Sequence, residues 1–264
     1  MKKGVQTYTV RNIMIDRSLF EYSLKRIKSI GYESIQGGRG PGMTDAETKM
    51  MLDDIGLVNC SSGGGFEAMR DDPEAIKKAI KSAQTYGVKY IDIGTLPDEM
   101  RESIDGYKQF AADMNKIGKE LQKEGCGLLY HNHALEFYSF GGGKHGMDIL
   151  FDETDPSCVF FSLDTHWLAS GGVNPVDWIY KAKGRMPIIH FKDYAIGGGA
   201  QMVEGVCKLF AEVGEGNLDW EKIVKACHDT GIEHAIVEQD WYWRDGNPFK
   251  SLEISYNNMI KFNV

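Results

Sequence analysis

The amino-acid sequence predicts an α/β fold, a (β/α)8 TIM barrel, and two observations carry that expectation. Short apolar or β-branched runs alternate with longer amphipathic segments along all 264 residues, the pattern of parallel strands joined by crossover helices. No G-x-G-x-x-G follows the first run, which leaves a doubly wound dinucleotide-binding sheet as the second choice. A chain of this length with 42% hydrophobic residues can bury one large core, and α/β barrels of this size commonly form one domain. A single domain over 1–264 is expected.

In chain order the expected strands are VQTYTV (5–10), YESIQ (32–36), GLVNCSS (56–62), VKYIDIG (88–94), CGLLYHNH (126–133), VFFSLD (159–164), PIIHFKD (187–193) and HAIVEQD (234–240). Helices lie between them. Residues 18–31 carry apolar side chains every three or four positions up to Gly31, a stop signal. Residues 72–87 repeat the scheme, with Asp72 as N-cap, Pro73 at the first helical position and Gly87 at the end. A longer helix is expected over 98–125.

Charge and cysteine content narrow the function. Thirty-eight acidic against 30 basic residues give a net charge of −8 with no basic stripe, which argues against a nucleic-acid partner. No stretch approaches the ~20 apolar residues of a membrane span, and no apolar signal core follows MKKGVQTYTVRN. A soluble, cytoplasmic protein is expected. Cys60, Cys126, Cys158, Cys207 and Cys227 are odd in number and widely spaced, unlike a disulfide framework or a C-x-x-C zinc site. They read as buried structural thiols.

A barrel builds its site where strands end and loops begin, at the carboxyl face. The fifth strand ends in His131, Asn132 and His133, with Glu136 just beyond; the sixth ends in Asp164, followed by His166 and Trp167. The seventh ends in His190, Lys192 and Asp193, and the eighth in Glu238 and Asp240. Carboxylates behind dry runs such as AIV need a cation or a hydrogen-bond partner. Asp164, Glu238 and an imidazole make a mixed oxygen and nitrogen set suited to Mn²⁺, Mg²⁺, Co²⁺ or Zn²⁺. The alternative is an ion-paired rim with Lys192 as counter-ion. Period-two alternation puts Lys192 on the same side as His190, where it would steady a substrate oxyanion. The same alternation sets His131 and His133 against Tyr130 and Asn132, and the histidines are expected to face inward.

Three glycine-rich loops, SSGGG (61–65), FGGGK (140–144) and IGGGA (196–200), lack the GxxxxGK[ST] of a nucleotide loop. Trp241, Tyr242 and Trp243 follow the eighth strand; their faces would stack on a sugar ring or pack a subunit contact. In VGEGNLDW (213–220), Asn217 or Asp219 is the expected helix cap.

These rim motifs resemble the xylose isomerase-like barrel proteins grouped as sugar phosphate isomerases/epimerases. The resemblance runs nearly end to end, through GVQTYTVR, SIGYESIQ, YHNHALEF, LDTHWLASGGVNP, GRMPIIHFKD, VGEGNLDW and IVEQD. It implies one divalent metal, most often Mn²⁺, held by a carboxylate of the fifth strand, Asp164, His190 and Glu238. Where the ketose epimerases carry a glutamate at the end of the fifth strand, this chain has His131. Either that histidine ligates or Glu136 reaches back; Glu136, which restores the charge, is the expectation.

The resemblance also implies the chemistry: a base removes a proton next to the carbonyl of a sugar or keto-sugar, through a metal-stabilised enediolate. Glu238 would be one base, with His131, His133 or Glu136 as its partner and Lys192 as the oxyanion stabiliser. Asn132, His166, Trp167 and Trp241 would line the substrate. Isomerisation or epimerisation is the leading expectation. Elimination of a β-leaving group is the second, because YHNH also resembles inosose dehydratases and 3-keto-glycoside lyases. Apurinic endonucleases share the barrel, but LDTHW lacks the later histidine of their DTxxH pattern and the chain is acidic. Relatives of this kind assemble as dimers or tetramers, so a homo-oligomer is expected by resemblance.

Overall fold

A computed structural model describes residues 1–197 and 207–264. In chain order the strands are β1 (Lys2–Gln6), β2 (Ser34–Gln36), β3 (Val58–Asn59), β4 (Ser62–Gly63), β5 (Tyr90–Ile93) and β6 (Gly127–His131). They continue with β7 (Val159–Asp164), β8 (Ile188–Phe191), β9 (Asp193–Gly197), β10 (Cys207–Ala211) and β11 (His234–Val237). The chain divides into two compact units, residues 1–59 with 188–264, and residues 60–187.

In the first unit the strands run in the order β3-β2-β1-β11-β8, all parallel. Helices α1 (Arg17–Ile30) and α2 (Asp45–Ile55) supply the crossovers. Asp16 caps α1 by accepting from the Leu19 N–H at 2.8 Å, and Gly31 ends it at φ 123°. Thr44 and Glu47 form a reciprocal capping box on α2. Val5, Ile35, Ile188, Ile189 and Ile236 are fully buried.

In the second unit the order is β4-β5-β6-β7, again parallel. It carries α3 (Phe66–Asp71), α4 (Pro73–Tyr86), α5 (Ile104–Lys123), α6 (Gly146–Glu153), α7 (Thr165–Ser170) and α8 (Pro175–Lys181). Asp72, Pro73 and Gly87 take their expected places around α4. The first unit resumes with α9 (Trp220–Thr230) and α10 (Pro248–Lys261).

Several boundaries move, each for a local reason. The first strand covers 2–6 rather than 5–10, because the Gln6 side chain accepts from the Tyr8 N–H and turns residues 7–10 into a 3-10 helix. The third expected strand is two short ones, β3 and β4. The helix expected over 98–125 starts at 104, where Ser103 is extended and caps the Gly106 N–H, leaving 98–100 as a separate 3-10 turn. After β8 the chain continues into an antiparallel hairpin, β9 with β10, which periodicity did not suggest. Residues 198–200 of IGGGA lie outside the described residues. Cys60, Cys126, Cys158 and Cys227 are buried free thiols, whereas the side chain of Cys207 lies outside the described residues. Among the described residues no helix is long and apolar enough to cross a membrane.

The centre of the first unit is tightly packed at β1. A Cβ at Gly4 would lie 2.4 Å from both Ile236 Cδ1 and Ser34 Oγ, and 2.9 Å from the Ser34 carbonyl. Overpacking of this kind costs about 1–3 kcal/mol. Gly4→Ala is expected to lower the unfolding free energy in urea by that amount; a variant as stable as wild type would mean that β1 can shift freely between its neighbours.

Candidate active site

In the second unit the ends of β6 and β7 are tied by one amide. Asn132 is fully buried, and its Oδ1 accepts the Asp164 N–H at 3.0 Å while its Nδ2 donates to the His133 carbonyl at 3.2 Å. Asp164 in turn caps α7, its Oδ1 accepting the Trp167 N–H at 2.9 Å. This bond orients the carboxylate at the strand end. His131, half-buried, has Nδ1 3.3 Å from the Ser162 carbonyl, and its ring meets that of His133 edge to face at 4.8 Å between centroids. Trp167 stands 5.5 Å from the His133 ring and 4.6 Å from that of His166, whose Nε2 lies 3.2 Å from Ser170 Oγ. The aromatic residues picked from the sequence at these two strand ends are therefore neighbours.

Glu136 is fully buried, and its carboxylate accepts from the Tyr130 hydroxyl and, at 2.8 Å, from the His133 N–H. Burial raises its pKa to about 7 against the restraining pull of these hydrogen bonds. Burial, with Glu136 alongside, pushes the Tyr130 hydroxyl well above its usual range, so Tyr130 stays a donor. The carboxylate expected to reach back to a metal is thus held by the strand it would have to leave.

In the first unit, β8 and β11 bring a second group together. His190 is 2% exposed; its Nε2 lies 2.5 Å from Gln36 Oε1 and its Nδ1 2.7 Å from Glu238 Oε2. Lys192, on the same side as alternation requires, is 1% exposed, and its Nζ donates to both Asp240 carboxylate oxygens at 2.9 Å. It also lies 3.7 Å from Glu238 Oε1 and 4.9 Å from the centroid of the Phe210 ring. Burial raises the pKa of Asp240; the Lys192 ammonium pulls it back and the Glu238 carboxylate adds to the rise. An imidazole nitrogen and a carboxylate oxygen 2.7 Å apart share either the hydrogen of an N–H donor or a metal ion that both ligate. The donor types here therefore fit a divalent ion.

Asp193, the neighbouring strand-end carboxylate, is spent on the backbone. It accepts from the Gly214 and Gly216 N–H groups at 3.0 and 3.1 Å and from Trp220 Nε1 at 2.5 Å. A Cβ at Gly216 would sit 2.3 Å from Asp193 Oδ1, so VGEGNLDW is shaped around this carboxylate. Asp219 caps α9, and Asn217 accepts the Ile196 N–H instead. Trp241 is 48% exposed with its ring centroid 5.3 Å from that of Phe210, and Tyr242 beside it is exposed at φ 60°. Gln36 was overlooked in the sequence. Its only signal is the one used elsewhere, a polar residue closing a buried strand.

The chain matches the family described as "Xylose isomerase-like TIM barrel" over residues 24–255. It is 29% identical over 160 residues to an inosose dehydratase of Clostridium beijerinckii, covering 54% of this chain and 50% of that protein. An inosose dehydratase of Lacticaseibacillus casei is 25% identical over 187 residues, covering 66% of this chain and 61% of the relative. The matched stretch thus spans between half and about three-fifths of those relatives. A solved sugar phosphate isomerase/epimerase from Parabacteroides distasonis superposes with a TM-score of 0.79 at 23% identity, covering 99% of this chain and 98% of that one. This likeness establishes the fold as a xylose isomerase-like TIM barrel.

The state of Glu136 is open to measurement. Its pKa is about 4.5 in an unfolded chain and about 7 when folded, so the folded state keeps a proton that the unfolded chain releases. Its contribution is full below pH ~4.5 and is lost as pH rises towards ~7, by about 3 kcal/mol in all. Urea unfolding of Glu136→Gln is expected to be flatter than wild type over this window. Parallel profiles would mean that the carboxyl ionises freely in the fold.

Proposed function

Because this chain belongs to the xylose isomerase-like TIM-barrel family, we propose that it is a divalent-metal-dependent dehydratase acting on a polyhydroxylated ring ketone, of which inososes are examples. The ion, Mn²⁺ in the first instance with Mg²⁺, Co²⁺ or Zn²⁺ as substitutes, is held by His131, Asp164, His190 and Glu238, each of which offers one ligand atom. His131 takes the place that the sequence reserved for Glu136. When bound, such an ion polarises the ketone and stabilises the negative charge that follows loss of the neighbouring proton.

One observation carries the choice of elimination over epimerisation. A two-carboxylate epimerase needs a second mobile glutamate, and Glu136 is committed to the Tyr130 hydroxyl and the His133 N–H. What remains at the end of β6 is imidazole. The reaction balances as loss of a proton from the carbon next to the ketone and of hydroxide from the carbon beyond it, leaving an unsaturated ketone and one water. His133 is the group that carries the proton to the departing hydroxyl, since an imidazole both accepts and donates near neutral pH. The Lys192 ammonium, fixed by Asp240, supplies positive charge for the enolate oxygen. Asn132 positions Asp164, while His166, Trp167 and Trp241 border the ring. The inosose dehydratases that the chain resembles support the same outcome.

The test is product mass together with metal content. Protein loaded with Mn²⁺ and freed of excess is expected to retain about one ion per chain and to convert a keto-inositol to a product lighter by one water. His190→Ala and Glu238→Gln lose the ion. His133→Gln keeps it and lowers kcat about 10²–10⁴-fold. A product of unchanged mass would replace elimination by isomerisation; wild type that retains no ion would remove the metal reading altogether.

A further inference from the structure

We propose that a single backbone N–H, that of Tyr8, sets which nitrogen of His190 is available to a metal ion, acting through Gln6 and Gln36. The inference rests on the metal reading above and assigns positioning roles to two residues within it. A peptide N–H is a donor and nothing else. The Tyr8 N–H donates to Gln6 Oε1 at 3.3 Å, which fixes that amide with its oxygen towards Tyr8 and its nitrogen free to donate elsewhere. Gln6 is the register partner of Gln36 across β1 and β2, and Gln6 Nε2 lies 3.4 Å from Gln36 Oε1. A donor on that side requires the acceptor end of the Gln36 amide, so the side-chain orientation follows from the backbone.

The same Gln36 oxygen lies 2.5 Å from His190 Nε2, which must therefore carry a hydrogen. The remaining ring nitrogen, Nδ1, faces Glu238 Oε2 at 2.7 Å and is left for a cation. Gln36 is 1% exposed and His190 2%. A reversed Gln36 amide would set its nitrogen against Gln6 Nε2, donor against donor. Metal-bound histidines are held by such a partner on the second nitrogen, and its loss typically costs 10–100-fold in affinity. Here the partner is itself held by a relay that begins in the main chain.

The relay makes a prediction about polarity rather than about size. Zn²⁺ affinity, measured by chelator competition, is expected to fall about 10–100-fold in Gln36→Leu, which removes the acceptor. Gln36→Glu keeps an acceptor and stays near wild type. Gln6→Leu removes only the guide, so its loss is smaller. Gln6→Glu presents an acceptor to Gln36, turns the amide over and is expected to match Gln36→Leu. A long-range ¹H–¹⁵N spectrum of the zinc-loaded wild type is expected to find the His190 hydrogen on Nε2. Wild-type affinity in both Gln36→Leu and Gln6→Glu, or a hydrogen on Nδ1, would overturn the relay while leaving the metal site standing. A wild type that binds no Zn²⁺ would remove both.

Discussion

Burying the ammonium of Lys192 is the constraint on which the arrangement of the first unit depends. At 1% exposure its charge must be neutralised where it sits, since several kcal/mol of hydration are lost with no solvent to restore them. Both oxygens of Asp240 meet it at 2.9 Å, Glu238 stands 3.7 Å away, and the Phe210 ring covers another side. Those partners come from the end of β11 and from β10, so the lysine determines where two further segments finish. The Asp240 carbonyl, in turn, accepts from Arg11 at 2.9 Å, which fastens the turn after β1 to the same point. The charge centre is a fixed frame.

A different economy rules the loop after β10. Asp193 is buried and is satisfied by N–H groups of Tyr194, Gly214, Gly216 and the indole of Trp220. Burial still raises its pKa against those hydrogen bonds. The two aspartates thus illustrate the two ways of keeping a carboxylate in a dry place, by a counter-charge or by the backbone. The first cancels the carboxylate's charge, whereas the second spreads it over oriented N–H dipoles.

Much of this was legible in the sequence, and the limits have physical causes. Strand ends betrayed themselves because an apolar run that stops at Asp164, His190 or Glu238 leaves a polar group against a core. Helix limits at Asp72, Gly31 and Gly87 were readable because caps depend on one or two residues. The β9–β10 hairpin was not, since DYAIG alternates too briefly to stand apart from a loop. Gln36 escaped because its meaning lies in His190, 154 positions away, and sequence spacing says nothing about partners in different strands. The partners of Glu136 were hidden for a related reason. Its charge suggested a ligand, yet the hydroxyl that holds it belongs to Tyr130 on the opposite side of the strand pattern from the histidines.

Epimerisation and elimination share their first event, removal of a proton beside a ketone, and differ in where that proton is delivered. Returning it to the other face of the same carbon calls for a second base opposite the first. Delivering it to a departing hydroxyl calls for one group able to take a proton and give it up again, held still while it does so. In the elimination proposed above, Glu136 would serve the second task rather than the first. By accepting the His133 N–H at 2.8 Å it anchors the backbone that carries an imidazole, and Tyr130 keeps that anchor from turning. A buried carboxyl that looks like a displaced ligand is better understood as the support of the residue next to it, and that distinction carries the preference for elimination.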